Sequence, residues 1–390
     1  MGALRRALGG RCGVRAFAPS LTLPRFRGRG DCRRSAQNSL PRQRRGRVRE
    51  GAIALLLLTF LTHPAYATCR TVSVTADRAP VIGIEDMALD AARGQAVLSA
   101  YDRRAGTTGG LYLLNLQSID APTAAAIPLA TGLRPAGIDL RAEPDGARSL
   151  LAVRRHEDGS ATVERYRLDG ATLTHQGTVT SPLLCRANDV AFLDGERFLF
   201  TSSHGGCGWS AVIEDNVLGG RHGFVGLVEN NEARVLIGGI GFANGLFPDP
   251  SHDRLIVAAT REDALLVYRL SDPQAPQQRI AVPGGPDNLT MAPDGRLLVA
   301  LHPSPVRLAL HRYGWPGGAA APTRVAALGP SGVEILLDED GRRFPAATVA
   351  VSWNGRLVIG SVTAPGLLVC DEAASGATGS SAPAEPPATR

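Results

Sequence analysis

Four short stretches set oxygen-bearing side chains just ahead of hydrophobic runs: Glu85 with Asp86, Asn188 with Asp189, Asn244 alone, and Asp287 with Asn288. Carboxylates and amides with no Cys among them and little His form a hard-oxygen donor set. Such a set suits Ca²⁺, which takes about six to eight oxygens, and suits zinc or copper poorly. Carboxylates crowded together repel one another unless a cation compensates them. One Asn or Asp before a strand is ordinary, because both residues cap turns. The set gains chemical meaning only if something in the fold brings the four stretches to one place.

That something is a repeat. "EDMALDAARGQAVLSA" from Glu85, "AGIDLRAEPDGARSLLAV" from Ala136, "NDVAFLDGERFLFTSS" from Asn188, "NGLFPDPSHDRLIVAAT" from Asn244, "DNLTMAPDGRLLVALHP" from Asp287 and "TVAVSWNGRLVIGSV" from Thr348 share one plan. Each has a small or polar start, a short strand, a turn of Gly, Asp, Asn or Pro, and a second hydrophobic strand. A further hairpin half follows each. The starts lie 51, 52, 56, 43 and 61 residues apart. Helical periodicity is scarce between 70 and 370. Four strands per repeat, six times over, predict an all-β, six-bladed β-propeller closed by its N- and C-terminal strands. The innermost strand of each blade then begins at one end of the central channel, and the four oxygen-rich stretches converge there.

The chain of 390 residues is 44% hydrophobic, ample for a globular core. Its formal charge of +6 divides sharply by position, because 14 of the 42 basic residues fall in 1–67 against Asp31 and Glu50, which leaves 28 basic and 34 acidic residues beyond. The rest of the chain is mildly acidic and has no clustered basic face, which argues against a nucleic-acid partner. Every basic residue is Arg. "AIALLLLTFL" (52–61), preceded by Arg47 and Arg49 and followed by Ala65-x-Ala67, reads as a signal peptide over 51–67 cleaved after Ala67. The span is too short to cross a bilayer, and its removal leaves no stable membrane span in the mature chain. Residues 1–50 read as an Arg-rich disordered extension or as a mis-assigned start, with translation beginning near Val48. Residues 68–371 form the propeller, and 372–390, rich in Ala, Ser, Gly and Pro, a disordered tail.

Export means a secreted or periplasmic protein in an oxidising compartment. Cys12 and Cys32 lie in the extension, leaving Cys69, Cys185, Cys207 and Cys370. Three connectivities are open on paper. Ring closure favours Cys69 with Cys370, which leaves Cys185 with Cys207.

The motifs "GIEDMAL", "RPAGIDL", "ANDVAF", "GFANGLF", "PDNLTMAPDGRLLVALHP" and "ATVAVSWNGRLVIGSV", in this order, resemble the paraoxonase/arylesterase family of calcium-dependent lactonases, and more widely the gluconolactonase-like propellers. The resemblance runs from Cys69 to Cys370. It implies a catalytic calcium held by Glu85, Asn188, Asn244, Asp287 and Asn288. It implies a second, structural calcium held deeper by Asp86, Asp189 and the backbone carbonyl of Ile138, and it matches Cys69 and Cys370 to the family's closing disulfide. One departure matters: the family's "PHG" is "PAG" here, with Ala136 in place of a proposed catalytic His, while His156 matches the second His of that pair. His204 and His302 resemble family positions that line the pocket.

These readings predict a secreted hydrolase of lactones or aryl esters, in which water attacks a calcium-polarised carbonyl. Glu85, Asp287, His156, His204 and His302 are the candidates to take its proton. The rival is a calcium-stabilised propeller that binds a partner and catalyses nothing; Ala136 favours it. The segments 206–225 and 303–320 read as apolar loops that line the pocket.

Overall fold

A computed structural model describes residues 66–315 and 320–372. The expected extension, the signal peptide up to its last two residues, and the tail beyond Glu372 lie outside the described residues.

The described chain is a ring of antiparallel sheets, an all-β propeller. Strands Ile84–Asp90, Pro135–Ala142, Ala187–Phe192, Ala243–Asp249, Gly285–Met291 and Ala347–Trp353 are the innermost of their sheets, and each contacts the next until the last returns to the first. Burial falls outward. Ala187–Phe192 and Phe198–Ser202 are buried almost throughout, whereas the outermost Glu232–Ile240 is largely exposed. The apolar clusters lie between neighbouring sheets. Leu199, Val225 and Leu227 of one, for example, pack on Leu246, Val257 and Leu266 of the next. Both faces of the inner strands are therefore covered, which explains their continuous apolar runs.

The expectation of six separate blades is corrected in one respect. Four sheets are separate and four-stranded, and the rest of the ring is one nine-stranded sheet. The joint is Tyr66–Ala76. This strand pairs antiparallel with Leu367–Glu372, Cys69 lying opposite Cys370, and also pairs parallel with Thr123–Leu133 at Ser73, Val74 and Thr75. The Cys69–Cys370 disulfide locks the closure, and a second disulfide joins Cys185 to Cys207.

Each inner strand slips by one residue against its neighbour at the same place. The slips fall between Ile84 and Asp86, Pro135 and Ile138, Ala187 and Val190, Ala243 and Leu246, Pro286 and Leu289, and Ala347 and Val349. A bulge of this kind breaks the alternation of faces, so that two consecutive residues are both turned inward. Glu85 with Asp86, Asn188 with Asp189, and Asp287 with Asn288 are accordingly buried as adjacent pairs. Two glycines permit the strands to approach. A Cβ at Gly137 would sit 2.2 Å from an Asp189 carboxylate oxygen, and one at Gly245 would sit 2.4 Å from the Asp287 carbonyl.

The expected loops at 206–225 and 303–320 contain helices instead: α1 (Trp209–Leu218) and α2 (Pro305–Arg312). α1 ends at Gly219 in the left-handed conformation, and α2 starts with Ser304 accepting from the Arg307 N–H and Pro305 in its first turn. The Cys185–Cys207 bridge, spanning 22 residues, ties down the approach to α1 and contributes about 3 kcal/mol on chain-entropy grounds.

Candidate functional site

The first members of the inward-turned pairs make one layer, and Asn288, a second member that also lines the lower cavity, bonds up into it. Asn188 donates its carboxamide N–H to the Asn244 oxygen, Asn244 donates to Thr260 Oγ1 at 3.0 Å, and Asn288 donates to the Glu85 carbonyl at 2.9 Å. The structure thus brings Glu85, Asn188, Asn244 and Asn288 together, with Asp287 beside them. Three cationic or imidazole partners meet this layer from above. Arg103 reaches Glu85 Oε1 at 2.9 Å, with side chains 5% and 4% exposed; Arg155 donates to the Asn188 oxygen; His302 Nε2 lies 2.7 Å from Asp287 Oδ2. The second Glu85 oxygen and His302 Nδ1 are buried without a partner.

The second members make a lower layer of different character. Asp86 accepts N–H groups from Met87 (2.8 Å) and Ile138 (2.7 Å), and Asp189 accepts from Val190 (2.8 Å) and Leu246 (2.9 Å). Ile138 therefore meets Asp86 through its N–H. Burial first, and then the Glu85 charge, push the Asp86 carboxyl up to about 8; burial and then Asp86 push Asp189 well above the carboxylate range. Burial also lifts Asp139, which accepts from Leu140 and Phe192, to about 6. No Arg or His lines the cavity of about 480 Å³ below them. Among the described residues no three His, Cys, Asp or Glu side chains form a metal-sized group; three of the seven oxygen-bearing side chains of the two layers are amides.

Above the first layer, between α1, α2 and the loops that precede the inner strands, opens a cavity of about 380 Å³. His156 and His204 line it. His156 is half-buried, and no side-chain hydrogen bond from the described residues engages its ring. His204 is buried, packs edge-on to Phe242, and has Nδ1 2.9 Å from Asp215 Oδ2. Asp215, on α1, also lies 2.8 Å from His222 Nδ1. Burial lowers the His204 pKa below the usual imidazole value although Asp215 opposes it. Tyr101, Arg103, Arg155 and Arg312 share this cavity. Burial works to raise the Tyr101 phenol, but the three guanidiniums bring it net below its usual value; burial and then Arg103 lower both Arg155 and Arg312.

Sequence reasoning missed Arg103, Arg155, Arg312, Asp215 and Asp139 as parts of the site. The arginines carried no signal in a chain whose every cation is Arg. Asp139 follows Ile138 immediately, and only the slip in register turns it toward the lower channel.

The chain belongs to the arylesterase family, whose sequence signature matches residues 100–371, well over half of it. It is 26% identical to serum paraoxonase/lactonase 3 of Mus musculus over 265 residues, 65% of this chain and 74% of that protein. It is 26% identical to serum paraoxonase/arylesterase 1 of Homo sapiens over 239 residues, 60% of this chain and 67% of that protein. Among solved structures it is similar to regucalcin, a calcium-binding protein from Agrobacterium tumefaciens, at 15% identity and a TM-score of 0.46, covering 77% of this chain and 95% of that one.

Proposed function

We propose that this protein is a calcium-dependent hydrolase of lactones or esters. The observation that carries the reading is the channel's two layers of buried oxygens. Asp86 and Asp189 are buried close enough for one to raise the other, in a cavity that no Arg or His side chain lines, and Glu85 keeps one buried oxygen without a partner. A divalent cation completes such a set, because uncompensated buried carboxylates are costly. Glu85, Asn188, Asn244, Asp287 and Asn288 would hold the catalytic calcium, and Asp86, Asp189 and the Ile138 carbonyl the structural one. When bound, calcium polarises a carbonyl and stabilises the developing oxyanion.

The chain's own residues supply the rest. Asp215 holds His204 by Nδ1 and so leaves Nε2 as the acceptor for a water proton, on a wall of the cavity that opens over Glu85 and Asn188. The low pKa of His204 keeps that acceptor neutral at ordinary pH. His302, locked to Asp287, orients a ligand oxygen, and His156 is the second acceptor on the wall. Ala136 removes one imidazole from this region, and the His204–Asp215 pair takes its task. α1 and α2 flank the cavity and limit the entry of water.

The same reading counts six blades. The nine-stranded sheet divides at the parallel joint between Tyr66–Ala76 and Thr123–Leu133, and the six slips at one position support that division. Two disulfides support an oxidising compartment, and the relatives' names place those proteins in serum. Among the described residues no helix is long and apolar enough to cross a membrane. A non-catalytic, calcium-stabilised binding protein is the second reading. It is favoured by Arg103 and Arg155, which already engage ligand oxygens of the upper layer.

The deciding experiment assays the purified chain on a panel of lactones and aryl esters, with chelator and with calcium restored. Activity is expected to vanish and return, and to be lost in Asn244→Ala and Asp287→Ala. Activity that persists in the folded, metal-free protein overturns the mechanism. Two bound metal ions with turnover support the enzyme, and one ion without turnover supports the binding protein.

A further inference from the structure

The cavity over the upper layer is far more basic than a neutral lactone or aryl ester requires. Five guanidiniums line it, from Arg103, Arg134, Arg155, Arg186 and Arg312, and Glu157 is the one carboxylate among its walls. Each cation can be accounted for in turn. Arg134 pairs with Glu157 at 2.9 Å, and Arg186 donates to the Cys207 carbonyl and lies over Trp209. Arg103 engages Glu85 below, yet its Nε is buried without an acceptor. Among the described residues Arg155 donates to neutral acceptors, the Ala187 carbonyl, the Asn188 carboxamide and the Tyr101 phenol. Arg312 has no carboxylate within ion-pair distance among the described residues, although it stands beside Arg103 and Arg155. The C-terminal dipole of α2 accounts for a cation at position 312, but not for a cation directed into a cavity that already holds two others.

Two guanidiniums beyond those the protein compensates, held next to a third, are a site for an anion. We infer that the cavity mouth is a subsite for an oxyacid group, and that the substrate is an ester or lactone carrying a separate carboxylate or phosphate. The planar guanidinium fork matches the paired oxygens of both groups, and the Tyr101 phenol is placed to add a donor. A volume of about 380 Å³ suits a small polar molecule. The word "substrate" rests on the hydrolase reading; the anion site does not.

The test has two arms on the purified, calcium-loaded chain. In the first, inorganic phosphate and succinate are titrated by calorimetry at constant ionic strength, which keeps general screening fixed. Saturable binding of one anion per chain is expected. It should weaken about tenfold or more in Arg312→Met and in Arg155→Met, and it should be unchanged in Arg342→Gln, whose side chain is 88% exposed on the surface. Arg312→Lys, which keeps the charge and loses the fork, should fall between. The relative affinities of phosphate and succinate decide which oxyacid fits. In the second arm, two lactones that differ only in a carboxylate or its methyl ester are compared. The ratio of their kcat/KM values should favour the carboxylate by about ten- to a hundredfold and collapse toward one in Arg312→Met. Absence of saturable binding to folded protein, or binding undiminished in every Arg312 variant, overturns the inference. Anion binding without turnover of either lactone retains the subsite and sinks the hydrolase reading; equal turnover of both lactones without anion binding does the reverse.

Discussion

The two ends of the central channel are built from neighbouring residues of the same inner strands, yet they solve the problem of buried charge in opposite ways. At the mouth, Glu85 meets Arg103 and Asp287 meets His302, beneath an excess of guanidiniums. One residue further along, Asp86 and Asp189 meet only backbone N–H groups and each other, above a cavity whose charged lining is acidic. A charge buried with a counter-charge is held at a modest net cost, whereas two like charges buried together stay ionised only if a cation arrives. At the mouth each buried carboxylate thus has a partner from the chain, and the guanidiniums left over open it to an anionic guest. The lower layer has no such counter-charge among the described residues that line it.

That contrast can be broken at the mouth first, where the largest effect is expected. Glu85→Gln strands a buried guanidinium and should cost about 3–5 kcal/mol in chemical denaturation of the metal-free protein, most of it recovered in Glu85→Gln/Arg103→Met. A cost below about 1 kcal/mol would mean that Arg103 does not depend on its partner. At the lower layer, calcium at about a thousand times its dissociation constant should add about 4 kcal/mol and raise Tm by about 10 °C. Calorimetry of Asp189→Ala should show none of that gain, and a wild type insensitive to calcium would remove the distinction between the layers.

His204 sharpens the comparison through pH. Its folded pKa is depressed by burial, so the ring stays neutral and the acid limb of kcat/KM should fall below the ordinary imidazole value of about 6.5. The stability linked to this group is present above its unfolded pKa and is lost as pH falls through the folded one. Asp215 opposes the depression, so Asp215→Asn should move the limb lower still and cut kcat by about a hundredfold; an unmoved limb removes His204 from the reaction. The smallest effect concerns backbone spacing. Gly245→Ala forces a Cβ against the Asp287 carbonyl and should cost about 1–3 kcal/mol, whereas Gly195→Ala, with nothing within 4 Å, should be neutral within about 0.5 kcal/mol.

Much of this was legible in the sequence, for a physical reason. The slip in register turns two consecutive residues inward, so each polar pair stands together in the chain and ahead of an apolar run that marks the buried strand. The sheet joint was not legible, because the parallel pairing of Ser73–Thr75 with Thr123–Ala125 has no turn between its partners to announce it. α1 and α2 were hidden differently. Their apolar residues, among them Trp209, Val217, Leu218 and Val306, are exposed, so no buried stripe gave a period, although Ser304-Pro305 and the glycines flanking α1 were readable stop and start signs. The basic mouth gathers Arg103, just past the second strand of one inner hairpin, Arg155, the last residue of the second strand of the next, and Arg312 at the end of a helix. No local pattern links three such positions.

The seam at Tyr66–Ala76 also sets a timetable. Cys69 and Cys370 are 301 residues apart, and the strands that carry them are the first and the last of the described chain to leave the ribosome. The other sheets can assemble from contiguous segments as they emerge, but the ring stays open until its final strand arrives. A chain in that state has unpaired edges at both ends, and stopping short of Leu367–Glu372 leaves it there. The most distant contact among the described residues is thus also the moment at which the chain stops being a growing row of hairpins and becomes a closed ring.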